Sequence, residues 1–168
     1  ALGNLVGRII EKGGDYLGRW SFIRYAGIGH RSVMVVSAYQ VCVRPTNLHG
    51  TTAFHQQQAI LQQERRANIN PRKNFLHDLA KALHVWKTRG DSIILMGDFN
   101  EDITLPNSGM SSILHDSSLD LVDIIGQLHP SALGVSTYLR GTTRLDFALL
   151  SRELIPSVRA CGYLPFHS

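Results

Sequence analysis

The stretch Ser92–Glu101 constrains the fold of this chain more than any other. Its apolar run, Ile93–Met96, does not alternate with polar residues, which is typical of a strand buried on both faces of a sheet. Gly97 then allows a sharp turn, and Asp98 and Asn100 follow just past the predicted strand. Reacting groups of α/β sheets collect at such an edge, where a carboxylate and a carboxamide can orient water or bind phosphate. Glycine, aspartate and asparagine are also ordinary turn residues, so the motif alone indicates a site and a turn about equally.

Length and composition indicate one globular domain. The chain has 168 residues, of which 43% are hydrophobic and 18% are charged, enough for a single core. The net charge of +4 and the pI of about 9.3 favour a polyanionic partner such as nucleic acid. No apolar run has the length of a membrane span, so no membrane partner is expected.

The two cysteines, Cys42 and Cys161, lie far apart in the sequence and form no C-x-x-C unit. They are predicted to be small core residues in a reducing compartment, which makes an intracellular location, nuclear or cytoplasmic, the expected one. A disulfide between them is the alternative.

The N-terminal part predicts β-structure. Leu2–Ile10 is apolar enough for a strand, and the glycines of Glu11–Gly18 predict a loop. Arg19–Ala26 alternates and Ser32–Tyr39 is apolar at its centre, so these two segments are predicted to pair as an antiparallel hairpin.

The most clearly marked helix begins at the N-cap Asn70 with Pro71 in the first position and ends at Gly90. Its apolar residues recur every three or four positions and form a stripe that should pack on the Ile93–Met96 strand: Phe75, Leu76, Leu79, Leu83 and Trp86. Ala53–Ala67 predicts a further helix before it. The later elements are predicted as short helices over Met110–His115, Leu119–Leu128 and Leu154–Val158, and as strands over Val135–Tyr138, Arg144–Leu150 and Cys161–Phe166.

Two polar residues in predicted buried strands are candidate site residues. Tyr39 ends its strand, and its hydroxyl could donate to a phosphate oxygen or reach water at the edge of the core. Asp146 interrupts an apolar strand, where a carboxylate is costly unless it is paired. It either forms a salt bridge, to Arg144 or Arg140, or orients a catalytic histidine.

Taken together, these stretches resemble the endonuclease/exonuclease/phosphatase superfamily, which includes abasic-site endonucleases, DNase I-like nucleases and retroelement endonucleases. The resemblance rests, in chain order, on Val35–Tyr39, Ile94–Asn100, Tyr138 and Arg144–Ser151. Gly18–Trp20 entering a strand, and the helix before the Ser92–Glu101 stretch, resemble the retroelement branch. The resemblance implies an α/β fold of two packed β-sheets flanked by helices, a four-layer sandwich.

The resemblance also implies metal-dependent hydrolysis of phosphodiester bonds, with Mg²⁺ or Mn²⁺ as the ion. Asp98 would orient or deprotonate the attacking water, and Asn100 would hold that water and a phosphate oxygen. Tyr39 would contact the phosphate, and Asp146 would orient a histidine.

Substrate contacts would come from Arg140, Arg144 and Tyr138. The metal-binding glutamate of the family precedes the hairpin and has no counterpart here, which leaves Asp98 and Asn100 as candidate metal ligands.

The chain departs from the family at both ends. The family's Ser-Asp-His would follow where this sequence stops, at Ser168. Residues 1–168 are therefore expected to form one truncated domain with weak or no nuclease activity. The expected substrate is nucleic acid, with DNA as the first candidate. The resemblance to the retroelement branch implies a fused reverse transcriptase in the full-length protein. The alternatives are a phosphatase of lipid or inositol phosphates and a non-catalytic protein that binds nucleic acid.

Overall fold

The computed structural model describes residues 8–27, 29–42, 50–130, 135–138 and 141–164. These residues form one mixed six-stranded sheet with flanking helices. The strands are β1 (Ile9–Gly14), β2 (Trp20–Ala26), β3 (Ser32–Tyr39), β4 (Asp91–Asp98), β5 (Leu121–Asp123) and β6 (Asp146–Ser151). The helices are α1 (Ala53–Gln63), α2 (Pro71–Thr88), α3 (Gly109–Leu114) and α4 (Ile124–Leu128), and a 3₁₀ helix covers Arg152–Ser157.

The sheet has the order β1-β2-β3-β4-β6-β5. The predicted β2–β3 hairpin is confirmed, and β1 extends it at the edge. β4 runs parallel to β3, with α1 and α2 in the connection between them, as a crossover between parallel strands requires. β6 returns antiparallel to β4 and completes the centre of the sheet.

One face of the sheet carries the main core beneath α2. The side chain of Asn70 caps this helix, since its Oδ1 accepts hydrogen bonds from the backbone nitrogens of Arg72 and Lys73 at 3.0 and 3.2 Å. The predicted apolar stripe of α2 packs on β4 residues Ile93 and Leu95, both fully buried, which confirms the predicted contact. Phe147 of β6 stacks on Phe99 in the same core, with ring centroids 4.4 Å apart.

The other face is covered unevenly. Over β6, a smaller cluster forms around Leu150 and is packed by α4 and by the segment that follows the 3₁₀ helix. Over the centre of the sheet, Met96 is 41% exposed and Val35 is only half-buried. The α/β class with flanking helices is confirmed, whereas the described residues form one sheet rather than the two that the resemblance implies.

Several predicted boundaries are wrong. Glu11–Gly14 belongs to β1 rather than to a loop, because Gly13 and Gly14 allow close approach to β2: a Cβ on Gly13 would lie 2.8 Å from the Phe22 ring. The segment Leu119–Leu128 is not one helix but β5 followed by α4. Val135–Tyr138 forms no strand.

The cysteine prediction is also wrong in part. Cys42 is exposed and Cys161 is half-buried, and both thiols are free, so neither is a fully buried core residue. Most of the predicted strand Leu2–Ile10 lies outside the described residues. The predicted strand Cys161–Phe166 is wrong over residues 161–164, which are irregular, and its last two residues are not described. No helix among those that are described is long and apolar enough to cross a membrane.

Candidate active site

Three of the predicted site residues lie in one row across the sheet. Tyr39 is paired with Asp98 in the β3–β4 ladder, and Asp98 is paired with Asp146 in the β4–β6 ladder. Directly opposite residues in a sheet place their side chains on the same face. The register alone therefore brings a phenol and two carboxylates from distant parts of the chain to one edge of the sheet.

Asp98 and Asp146 form a non-hydrogen-bonded pair, the closer of the two kinds of residue pair in an antiparallel ladder. The backbone carbonyl of Asp98 accepts from the nitrogen of Gln40, at 2.9 Å, so the peptide groups of Asp98 face β3 and not β6. Residue pairs without mutual backbone hydrogen bonds bring their side chains closest together, with Cβ atoms about 4.5–5.5 Å apart. Two carboxyl groups are thus held side by side.

Gly97 makes this arrangement possible by close approach rather than by a turn. β4 continues through it to Asp98, so the predicted sharp turn is absent. A Cβ at this position would lie 1.8 Å from the carbonyl oxygen of Ala38 on β3. Only glycine lets the ends of the two parallel strands, with Tyr39 and Asp98, lie next to each other here.

Asn100 lies just beyond the strand in a left-handed conformation with φ 45°, which asparagine tolerates well. Its backbone nitrogen donates to Oδ1 of Asp98 at 2.9 Å, and its Nδ2 donates to the carbonyl of Gln40 at 2.8 Å. The thiol of Cys42 lies 3.3 Å from its Oδ1. These contacts fix the amide beside the carboxyl of Asp98.

Arg72, the second residue of α2, ties the loops of the site together. Its Nη1 donates to the carbonyl of Val41 at 2.5 Å, and its Nη2 donates to the carbonyl of Asn100 at 3.1 Å. Its Nη2 also lies 3.1 Å from Oε2 of Glu101, and burial lowers the pKa of the guanidinium. The segments that follow β3 and β4 are therefore both anchored to the start of one helix.

The electrostatics of the row suit proton transfer. Burial raises the pKa of the Asp98 carboxyl, and the neighbouring Asp146 raises it further, whereas the hydrogen bond from Asn100 and the charge of Arg72 lower it. Burial also raises the pKa of the Tyr39 hydroxyl, as do Cys42 and Asp98. Asp98 is thus a more basic carboxylate than an exposed one, and Tyr39 stays protonated at neutral pH.

The two carboxyls open onto a cavity of about 420 Å³ on the less covered face of the sheet. Its other walls are mainly apolar and come from β4, α4, β6 and the segment after the 3₁₀ helix: Met96, Ile124, Ile125, Phe147, Ala148, Cys161 and Tyr163. An apolar wall beside acidic groups lowers the local dielectric constant and so strengthens their electrostatic effect.

The donor set fits part of a divalent-ion site. Two carboxylates and a carboxamide are oxygen ligands of the kind Mg²⁺ takes, and Mg²⁺ is commonly held by one or two carboxylates with water and substrate phosphate. Within the described part of the chain, no group of three or more histidine, cysteine or acidic side chains is placed to hold a metal. Asp98, Asn100 and Asp146 would therefore hold such an ion together with phosphate and water.

The predicted substrate-binding residues are placed differently. The guanidinium of Arg144 is buried, with only 2% of the residue exposed. It forms a bidentate ion pair with Asp123, in which Nη1 lies 3.0 Å from Oδ1 and Nη2 contacts Oδ2. Substrate contact by Arg144 is therefore not supported, and the suggested salt bridge from Arg144 to Asp146 is wrong. Tyr138 is 53% exposed, and its role stays a prediction. Arg140 lies outside the described residues.

Sequence reasoning missed four contributors to the site: Arg72, Cys42, Thr137, which accepts a hydrogen bond from the backbone nitrogen of Asp146, and Tyr163, which donates one to its carbonyl oxygen. Arg72 follows the helix cap and looks like any solvated arginine of a first turn. Cys42 lies in a segment whose sequence has no recognisable motif or periodicity. Thr137 and Tyr163 lie in irregular segments, where no periodicity indicates which way a side chain points. Only the contacts in three dimensions reveal all four.

Comparison with known proteins identifies the fold. No family model matches the chain, and no curated protein matches it. Among solved structures, it is similar to the catalytic domain of APE2 from Xenopus laevis, with 18% identity and a TM-score of 0.50 over 83% of this chain and 48% of that one. The chain has the DNase I-like α/β fold.

A second solved structure supports the same fold. The 3′ phosphatase NExo from Neisseria, bound to a product DNA hairpin, is 17% identical with a TM-score of 0.50. The match covers 84% of this chain and 55% of that one. The chain thus spans about half the length of the solved structures it matches.

Proposed function

We propose that this chain carries the catalytic carboxylates of a metal-dependent phosphodiester hydrolase that acts on nucleic acid, with DNA as the first candidate. The observation that carries the proposal is the side-by-side placement of Asp98 and Asp146 next to Tyr39 at one edge of the sheet. The fold shared with the APE2 catalytic domain and with a DNA-bound 3′ phosphatase supports it, as does the net charge of +4.

Each residue has a role that follows from its surroundings. Asp98 accepts a proton from the attacking water, because its carboxyl opens onto the cavity beside Asp146 and the amide of Asn100. Asp146 increases the basicity of Asp98 by its charge. Asn100 holds its amide beside the same carboxyl, and its Nδ2 keeps one N–H beyond the bond to Gln40 for a phosphate oxygen. Tyr39, at the exposed end of the row, donates a hydrogen bond from its hydroxyl to a phosphate oxygen.

A bound Mg²⁺ or Mn²⁺ would supply a Lewis acid that stabilises the negative charge growing on the phosphate. We propose Asp98, Asn100 and Asp146 as the residues that face it. The cavity beside them leaves room for substrate next to the two carboxyls.

The test is nicking of supercoiled plasmid in Mg²⁺. We expect slow cleavage that stops on addition of EDTA. Asp98→Asn should lower the rate by about 10²- to 10⁴-fold, the usual contribution of a general base. The matched control is Asp120→Asn, since Asp120 is an exposed residue whose partner is Arg152 and whose φ of 46° suits asparagine equally well.

Equal activity of wild type and Asp98→Asn would exclude Asp98 as the base. Absence of any cleavage, combined with salt-dependent DNA binding that survives both Asp98→Ala and Asp146→Ala, would favour the non-catalytic alternative. Faster turnover of inositol or lipid phosphates than of DNA would favour the phosphatase alternative.

The finer assignment is to the endonuclease of a retroelement, in which this chain would be joined to a reverse transcriptase and act in the nucleus or cytoplasm. The motifs Gly18–Trp20 and Asn70–Gly90 support it. Sequencing the coding region on both sides tests it, and a flanking gene without polymerase motifs would argue against it.

A further inference from the structure

Among the residues that the structure describes, no strand pairs with the first residue of β6 on its outer side. β5 pairs only with the far end of β6, over Leu149–Ser151. The peptide groups of Asp98 face β3, so Asp98 and the opposite residue Asp146 share no backbone hydrogen bond. The peptide groups of Asp146 therefore point away from β4. The backbone N–H and C=O of Asp146 would therefore be left without partners by the sheet itself, which is costly for a partly buried strand.

Two side chains take the place of the absent strand. The backbone nitrogen of Asp146 donates to Oγ1 of Thr137 at 3.0 Å. The hydroxyl of Tyr163 donates to the carbonyl oxygen of Asp146 at 2.7 Å, the shorter of the two bonds. Thr137 also accepts from the nitrogen of Leu145, so its single bond to Asp146 is shared. Tyr163 is the more specific of the two anchors.

Tyr163 is itself held in place. It lies in the irregular segment after the 3₁₀ helix, half-buried between the exposed Gly162 and Leu164, and its ring belongs to the wall of the cavity onto which both carboxyls open. The buried Arg144–Asp123 pair lies beside its hydroxyl. The hydroxyl thus connects a rigid ion pair to the backbone of a catalytic carboxylate.

We propose that Tyr163 is a positioning residue for Asp146, a role that rests on the function proposed above. Its hydroxyl holds the start of β6 so that the carboxyls of Asp98 and Asp146 keep their separation. Without it, the carbonyl of Asp146 loses its partner and the end of the strand can move away from β4. Displacements of about 1 Å can cost as much as about 100-fold in rate.

The test compares Tyr163→Phe with Tyr16→Phe. Both changes remove one hydroxyl that donates a 2.7 Å hydrogen bond, but Tyr16 bonds to Glu64 on the surface, far along the chain from the carboxyl pair. The first measurement is kcat and KM for Mg²⁺-dependent cleavage of an end-labelled DNA duplex. The second, which needs no activity, is amide hydrogen exchange of Asp146 and Phe147 by NMR.

We expect Tyr163→Phe to lower kcat by about 10- to 100-fold with KM changed by less than about twofold, and to speed the exchange of both amides. Tyr16→Phe should leave all three unchanged. A full kcat in Tyr163→Phe would overturn the proposal. If the wild type cleaves nothing, the proposed function fails on its own, and the exchange data still decide: unchanged exchange in Tyr163→Phe overturns the anchoring role, and faster exchange supports it.

Discussion

The carboxyl of Asp146 lies opposite that of Asp98 at the final residue pair of the β4–β6 ladder. Like charges in directly opposed positions destabilise a sheet, so this pair is expected where function outweighs stability. The structure reduces the penalty on Asp98 with a hydrogen bond from the backbone of Asn100 and with the charge of Arg72. The remaining cost makes the pair testable by stability measurements alone.

Asp98→Asn is expected to stabilise the folded chain at neutral pH while it removes activity. The pKa of Asp98 is raised in the folded state, so the folded chain binds this proton more tightly than the unfolded chain does. The free energy of unfolding of the wild type therefore falls as the pH rises from the ordinary aspartate pKa through the raised one. The variant should be more stable at pH 7 by up to about 1 kcal/mol, with the difference shrinking toward pH 3. Urea unfolding at both pH values measures this, and a less stable variant at pH 7 would contradict it.

Removal of one partner of the Arg144–Asp123 ion pair is expected to be strongly destabilising. Both side chains are largely buried, so Arg144→Met leaves an uncompensated carboxylate at a cost of about 3–5 kcal/mol. The double variant Arg144→Met with Asp123→Leu should recover part of this loss. The control is Arg152→Met, whose exposed pair with Asp120 should contribute less than about 1 kcal/mol. Chemical unfolding of the four proteins gives the comparison, and equal losses for the Arg144 and Arg152 variants would show that burial is not decisive.

Gly97→Ala is expected to separate the ends of β3 and β4. The added methyl group would lie 1.8 Å from a backbone oxygen, which cannot rotate away as a side chain can. The cost should reach or exceed about 1–3 kcal/mol, and activity should fall because Tyr39 and Asp98 are displaced. Gly162→Ala is the matched control, since nothing lies within 4 Å of its added Cβ. A Gly97→Ala protein with the melting temperature of the wild type would refute the close approach.

Arg72→Lys is expected to weaken the site although the charge is kept. The planar guanidinium bonds to two backbone carbonyls and to Glu101, and an ammonium group cannot reproduce that geometry. We expect a loss of about 1.5–3 kcal/mol in the free energy of unfolding and a larger loss of kcat than of substrate affinity. The companion variant Arg66→Lys, in a half-exposed pair with Asp78, should change both very little. An Arg72→Lys protein with unchanged kcat would show that the proposed activity does not depend on this side chain.

The sequence predicts the centre of the sheet well because local signals and burial agree there. Alternation in Trp20–Ala26, the apolar centre of Ser32–Tyr39 and the unbroken run Ile93–Met96 each correspond to a strand. The cap at Asn70 and the stop near Gly90 delimit α2 correctly, since both signals act within one turn of the helix. Prediction is poorer where tertiary contacts decide. The sequence around Gly13 and Gly14 is typical of a loop. Both residues nevertheless belong to β1, where glycine allows close packing against β2.

The candidate site is predictable in its members but not in its geometry. The motif around Asp98 and the isolated Asp146 mark two acidic residues, but nothing local to either one fixes the register that places them opposite each other. Arg144 shows the opposite error, in which a local pattern assigns a residue to the site although its contacts lie elsewhere. An arginine two residues before a candidate active-site aspartate suggests contact with phosphate, whereas in the fold it neutralises Asp123 on the neighbouring strand β5.

The row formed by Tyr39, Asp98 and Asp146 draws one residue from each of three neighbouring strands, and the last of these strands is synthesised long after the first. A nascent or partly unfolded chain in which β6 is detached has only half of the acidic pair, and so it cannot perform the proposed reaction. The proposed activity would then require the last step of sheet assembly. A measurement of turnover would therefore also report the fraction of molecules in which β6 has paired with β4.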